Sequence, residues 1–105
     1  MTAEAALKAI AAALARDQGV AQGGMMGANA LTISGKIFVM HTSAGELVYK
    51  LPRARVEALV ASGKGKPWGP GGKRIMKEWV AVDPADADAI ALAREAKLFV
   101  GGGKA

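Results

Sequence analysis

Gly72-Lys73-Arg74-Ile75-Met76-Lys77-Glu78-Trp79-Val80-Ala81-Val82-Asp83-Pro84 joins a basic glycine-rich loop, an apolar strand and a helix start without a linker. Trp79 to Val82 are β-formers or small apolar residues, Asp83 can cap a helix, and Pro84 suits a first helical position. The strand is therefore expected to run straight into a last helix from about Pro84 to Val100. Along it Ala89, Leu92, Ala93, Ala96, Phe99 and Val100 recur at a 3.6 period. Asp83, Asp86 and Asp88 complement the helix N-terminus, and Arg94 and Lys97 its C-terminal half. Gly101, Gly102 and Gly103 end it, with residues 101–105 expected to fray.

Upstream, Lys64-Gly65-Lys66-Pro67-Trp68-Gly69-Pro70-Gly71-Gly72-Lys73 reads as a loop by composition. Before it, Pro52 opens a helix with Val56, Leu59 and Val60 on one face, and Gly63 stops it. Three consecutive strands at hairpin spacing lead into that helix. Leu31-Thr32-Ile33 turns at Ser34-Gly35 into Lys36 to Thr42, and Ser43-Ala44-Gly45 turns into Glu46 to Leu51. In the last of these, Leu47, Tyr49 and Leu51 share one face and Glu46, Val48 and Lys50 the other, as in a sheet covered on one side. Gly23-Gly24-Met25-Met26-Gly27 enters a short strand of its own. The chain begins with a helix from Thr2 to Arg16, with Leu7, Ile10 and Leu14 at helical spacing and Gly19 as its stop. Strands grouped rather than alternating with helices make the class α+β. We expect a two-layer domain over residues 1–105, ordered from about 3 to 100. It holds an antiparallel sheet of about four or five strands and three helices, in the order α-β-β-β-α-β-α.

With 105 residues there is material for one core, and with five aromatic residues that core must be largely aliphatic. The absence of cysteine excludes disulfides, zinc–thiolate sites and thiol catalysis. No apolar run approaches the roughly 20 residues that span a bilayer, and no basic head precedes a long apolar stretch. The expectation is a soluble cytoplasmic protein with no membrane association. The net charge of +5 is uneven, for residues 36–77 carry nine Lys/Arg against Glu46 and Glu57.

Several of these stretches together resemble the TfoX N-terminal domain family, also called TfoX/Sxy. They are the glycine-flanked Met25-Met26-Gly27, the Ile33-Ser34-Gly35-Lys36 turn, Leu47-Val48-Tyr49-Lys50-Leu51 and the block Lys73 to Pro84. Their order and spacing match over roughly residues 5–100, although Met26 stands where that family usually has Phe. YjbR-like proteins share a similar layout. The resemblance implies a small α+β domain with an antiparallel sheet. It also implies a regulatory role linked to competence genes and a transcription-factor partner, with no catalytic residues to carry over.

Five basic residues, Lys64, Lys66, Lys73, Arg74 and Lys77, lie within the basic stretch beside Trp68. Lysines with an aromatic can meet phosphates and stack a base; the plainer reading is a solvated loop whose tryptophan folds back on the sheet edge. The stretch is not a P-loop, because Pro67 stands where its first glycine belongs and Arg74 where Ser/Thr would hold magnesium. His41 is the only histidine and is expected to be a partly buried strand residue in phase with Ile37 and Val39, without a nucleophile beside it. Asp83, Asp86 and Asp88 are read as helix-start residues rather than as a metal site, and Ser34, Ser43 and Ser62 as turn residues. Met25, Met26, Met40 and Met76 are either core filler or an adaptable partner surface. Trp79 is expected in the core, where truncation to Ala costs about 3–5 kcal/mol.

The favoured reading is a non-catalytic interaction module with a protein partner, using neither cofactor nor metal. A homodimer is its natural extension, since an uncovered edge strand invites pairing. The alternative is direct nucleic-acid binding through residues 64–77.

Overall fold

Leu47 and Tyr49 are fully buried and Lys50 is not, as alternation along a half-covered strand requires. They lie on β4 (Leu47–Lys50), near the middle of a six-stranded sheet in a computed structural model that describes residues 2–23, 29–42, 44–69, 75–86 and 88–102. The elements in order are α1 (Ala3–Ala13), β1 (Val20–Gly23), β2 (Ala30–Ile33), β3 (Lys36–His41), β4, α2 (Arg53–Ala61), β5 (Gly65–Pro67), β6 (Trp79–Val82) and α3 (Ala89–Val100). Every pairing is antiparallel, and the strands lie in the order β1-β2-β3-β4-β6-β5. The α+β class and the grouping of strands hold, with six strands where four or five were expected.

All three helices pack on one face. Leu7, Ile10 and Leu14 from the α1 region, Val56 and Leu59 from α2, and Leu92, Ala93 and Ala96 from α3 share one cluster with Leu31, Val39, Leu47, Tyr49, Val80 and Val82. Burying a Leu, Ile or Val in this way contributes about 1.5–3 kcal/mol each. The Thr2 hydroxyl caps α1 by accepting the Ala5 N–H at 3.0 Å. The helix ends at Ala13 rather than Arg16, because Leu14, its C-cap, leaves helical geometry and the chain turns through Gly19 at φ +86°. β2 and β3 are joined by Ser34 and Gly35, both at positive φ (52° and 83°), the pair of conformations that a two-residue hairpin turn uses.

Three local expectations are corrected. Leu31 pairs with Val39 and Thr32 with Ile37, so Phe38 is an extra residue in β3. This bulge lets both Phe38 and Val39 be fully buried in the core cluster, and it puts Ile37 out of phase with Val39 and His41. Residues 65–67, read as loop, form β5 along the outer edge of β6. There Gly65 is needed, since a Cβ at that position would sit 2.5 Å from Val80 Cγ2. The last helix starts at Ala89, because the Asp83 and Asp86 carboxylates accept N–H groups two residues on, from Ala85 and Asp88, and hold a turn first. The strand expected at Met25 and Met26 falls outside the described residues, as does most of the expected tail, while Gly101 and Gly102 form a turn.

Among the described residues the other sheet face carries no helix. The register places Ala30, Met40, Val48, Ala81 and Lys66 in one row across five strands, with Lys50 and Trp79 in the next. Val48 is nevertheless fully buried. Trp68 helps to cover this row, for it reaches from beside Trp79 to Glu46, across the register positions of Ala81 and Val48. Among the described residues no helix is long and apolar enough to cross a membrane.

Candidate functional site

The sheet ends at a ridge, Ile75-Met76-Lys77-Glu78, that leads into β6. Its backbone is held on both sides: the Met76 N–H donates to the Trp68 carbonyl at 2.8 Å, and the Leu51 N–H donates to the Glu78 carbonyl at 2.9 Å. The Trp79 N–H closes a turn onto the Met76 carbonyl at 3.1 Å. On this tethered backbone Ile75 is 56% exposed and Met76 36% exposed, among the few large apolar residues that face solvent. Trp79 is half-buried rather than in the core, because it pairs with Lys50 on the face away from the helices. The Lys50 ammonium lies 5.5 Å from its ring centroid, and the Trp68 ring is tilted against it at 6.0 Å.

Two hollows flank the ridge and share Arg53, Ile75, Met76, Lys77 and Trp79. One, of about 310 Å³, is walled by Val56, Val60, Ala61 and Pro67 with Glu57 at its rim. The other, of about 480 Å³, adds Lys50 and Glu78. Together they form a trough, apolar beside α2 and charged beside β4. Lys50 meets Glu78 only at 4.0 Å, Arg53 meets Glu57 at 3.1 Å one helical turn away, and both pairs are substantially exposed. Among the described residues no acid lies within 4 Å of Lys77.

The basic stretch is divided by the fold. Lys64 is bound to Asp88 and lies 3.7 Å from Asp86. The Asp88 contact holds that carboxyl below its ordinary range and the ammonium above its own. Trp68 donates its Nε1–H to Glu46 Oε1 at 3.1 Å and packs on Trp79, so the indole folds back on the sheet. Lys66 and Lys77 are exposed, and Lys73 and Arg74 fall outside the described residues.

Of the methionines, Met40 is half-buried in the row on the second face and Met76 is on the ridge, while Met25 and Met26 fall outside the described residues. His41 is half-buried in a cleft of about 320 Å³ with Glu4, Lys8 and Gln22. Three strand spacings, about 14 Å, separate its strand from β5, so the fold does not join it to Lys64 or Lys66. Met76 belongs to the methionines expected in the core or on a partner surface, and Ile75 joins it as a residue that the sequence pattern does not single out. The available signal was an apolar pair set between Lys73-Arg74 and Lys77. Compared with known protein families, curated proteins and solved structures, the chain gives no match.

Proposed function

We propose that this protein is a non-catalytic interaction module that binds a protein partner in the trough beside α2. The observation that carries this reading is the exposure of Ile75 and Met76 on a backbone hydrogen-bonded at both sides. Neighbouring apolar side chains held in the open by a fixed frame are a feature of binding surfaces, whereas scattered single ones are ordinary. The resemblance of the Lys73 to Pro84 block to the TfoX N-terminal domain family supports a regulatory role linked to transcription, with a transcription factor as partner. The test is to pan a random peptide library on the immobilised protein and re-measure the binders on an Ile75→Ser, Met76→Ser variant. That variant should keep its melting temperature, because exposed substitutions shift stability by only about 0.5 kcal/mol. Binders weakened about tenfold or more in the variant, a change of about 1.4 kcal/mol, support the reading. Binders indifferent to it move the surface elsewhere, and failure to enrich any peptide removes the proposal.

A second reading is favoured by Lys66 and Lys77, which are exposed and have no acid within 4 Å among the described residues. With Lys73 and Arg74 they would contact nucleic-acid phosphates. Duplex DNA binding that weakens steeply between low and moderate salt would support it, and no binding at low salt would remove it.

A further inference from the structure

We infer that the trough's occupant is an acidic linear segment of a protein partner, bearing two neighbouring apolar side chains with Asp or Glu within a few residues of them. The inference rests on the interaction-module reading and names the chemistry of the partner.

The apolar hollow, at about 310 Å³, is about twice the roughly 150 Å³ cavity that accepts a benzene-sized group. It therefore takes two side chains of Leu or Phe size. Its walls are α2 on one side and Pro67 on the other, with the Ile75–Met76 ridge as its rim, so those side chains enter from solvent without displacing core residues. The charged hollow adjoins the apolar one along the same ridge and presents Lys50, Arg53 and Lys77 against Glu78. Two of these cations are readily recruited. Lys77 has no acid within 4 Å among the described residues, and the exposed Lys50–Glu78 pair at 4.0 Å is of the kind that contributes little. Lys50 is also placed in advance by the Trp79 ring under its ammonium. A carboxylate entering here meets an excess of positive charge, whereas a basic segment adds like charge to it. Because the hollows share five residues, the apolar and acidic groups must lie close together on one short stretch of chain.

The test uses the full chain and three short fluorescent peptides with the same two neighbouring leucines, flanked by glutamates, glutamines or lysines. Fluorescence polarisation at about 50 and about 300 mM salt brackets the screening range. The glutamate peptide should bind about tenfold more tightly than the glutamine peptide at low salt, the lysine peptide should bind most weakly, and the ranking should compress at high salt. A Lys50→Gln, Lys77→Gln variant should weaken the glutamate peptide about tenfold more than it weakens the glutamine peptide, and equal weakening of the two would overturn the acidic partner. Equal binding of the three peptides, sensitive to Ile75→Ser, Met76→Ser, would overturn the acidic partner and leave the module standing. No binding by any of them overturns the inference, and the panning experiment then judges the module by itself. Sedimentation showing a dimer abolished by Ile75→Ser, Met76→Ser would give the trough to a second copy, and displacement of the glutamate peptide by duplex DNA would give it to nucleic acid.

Discussion

Tyr49 is the only tyrosine in the chain, so its ionisation can be followed by absorbance without interference from another phenol. Its ring is fully buried in the core, and its hydroxyl donates to the Ala89 carbonyl at 3.0 Å, which ties the middle of the sheet to the first turn of α3. Burial pushes its pKa well above the ordinary 10.0, with the nearby Asp86 carboxylate adding to the shift. Above pH 10 the unfolded chain releases this proton while the folded chain keeps it, so unfolding is coupled to proton release. The tyrosine's contribution is thus constant below the ordinary value and falls as pH rises past it, by about 1.4 kcal/mol per pH unit. Two units into that range the loss is about 2.7 kcal/mol, a large part of the stability of a small domain.

Tyr49→Phe supplies the control, because the lysines titrate alike in both proteins. At neutral pH the substitution removes one hydrogen bond and should cost about 1 kcal/mol, or about 4–8 °C in melting temperature. As pH rises, the wild type alone carries the penalty. The two denaturation midpoints should therefore cross within about one pH unit above the phenol's ordinary pKa, after which the Phe variant is the more stable. Urea titrations of both proteins from about pH 7 to about pH 12, with tyrosinate absorbance recorded alongside, follow the window. A tyrosinate signal with a midpoint near 10.0 while the circular dichroism of the fold persists would refute the burial and the hydrogen bond to Ala89.

Gly65→Ala should lower stability by about 1–3 kcal/mol, read by thermal melting, because the new methyl meets the Val80 side chain inside the β5–β6 ladder; an unchanged melt would mean that β5 does not lie on β6. Trp79→Ala should cost about 2 kcal/mol rather than the 3–5 of a buried tryptophan, since only part of the ring is covered. A loss above about 4 kcal/mol would place the ring in the core. Asp17 accepts a bond from Lys97 at 2.7 Å with Arg94 at 3.6 Å, and the Lys97 bond chiefly lowers its pKa from 3.8. Its stabilising effect is therefore complete above that value and is lost as pH falls below it through the lowered folded-state value, so Asp17→Asn should flatten the acid limb of the urea midpoint against pH. An unchanged limb would show that the pair makes no contribution.

The parts of the fold that could be read from the sequence are those decided by neighbours in the chain. Ser34 and Gly35 supply the two positive-φ positions of a hairpin turn wherever the flanking strands go. Likewise Leu47, Tyr49 and Leu51 recur at the strand period with Glu46 and Lys50 on the opposite face, whichever helix covers them, although Val48 on that face is buried too. The misread parts depend on residues far away. Nothing in Ile37-Phe38-Val39 announces a bulge, which comes from pairing with Leu31 and Thr32. Lys66 and Pro67 have loop composition and become a strand because β6 offers an open edge and Gly65 lets the backbones approach.

The candidate site shows the same division with a sharper consequence. A count of lysines along residues 64–77 treats every charge as free, but a charge that folding holds tightly against an acid is less available for recognition. Lys64 has Asp86 and Asp88, more than twenty residues away in sequence, and Trp68 has Glu46. Among the described residues of this stretch, folding leaves Lys66 exposed on β5, and Ile75 and Met76 exposed with Lys77 beside them. Their exposure comes from backbone bonds to Trp68 and from the turn into Trp79, on strands whose pairing no local pattern gives. On the proposed reading the better guide to where a partner docks is an apolar pair inside a polar stretch, because covering Ile75 and Met76 removes apolar surface from water while the backbone bonds that hold the ridge stay in place.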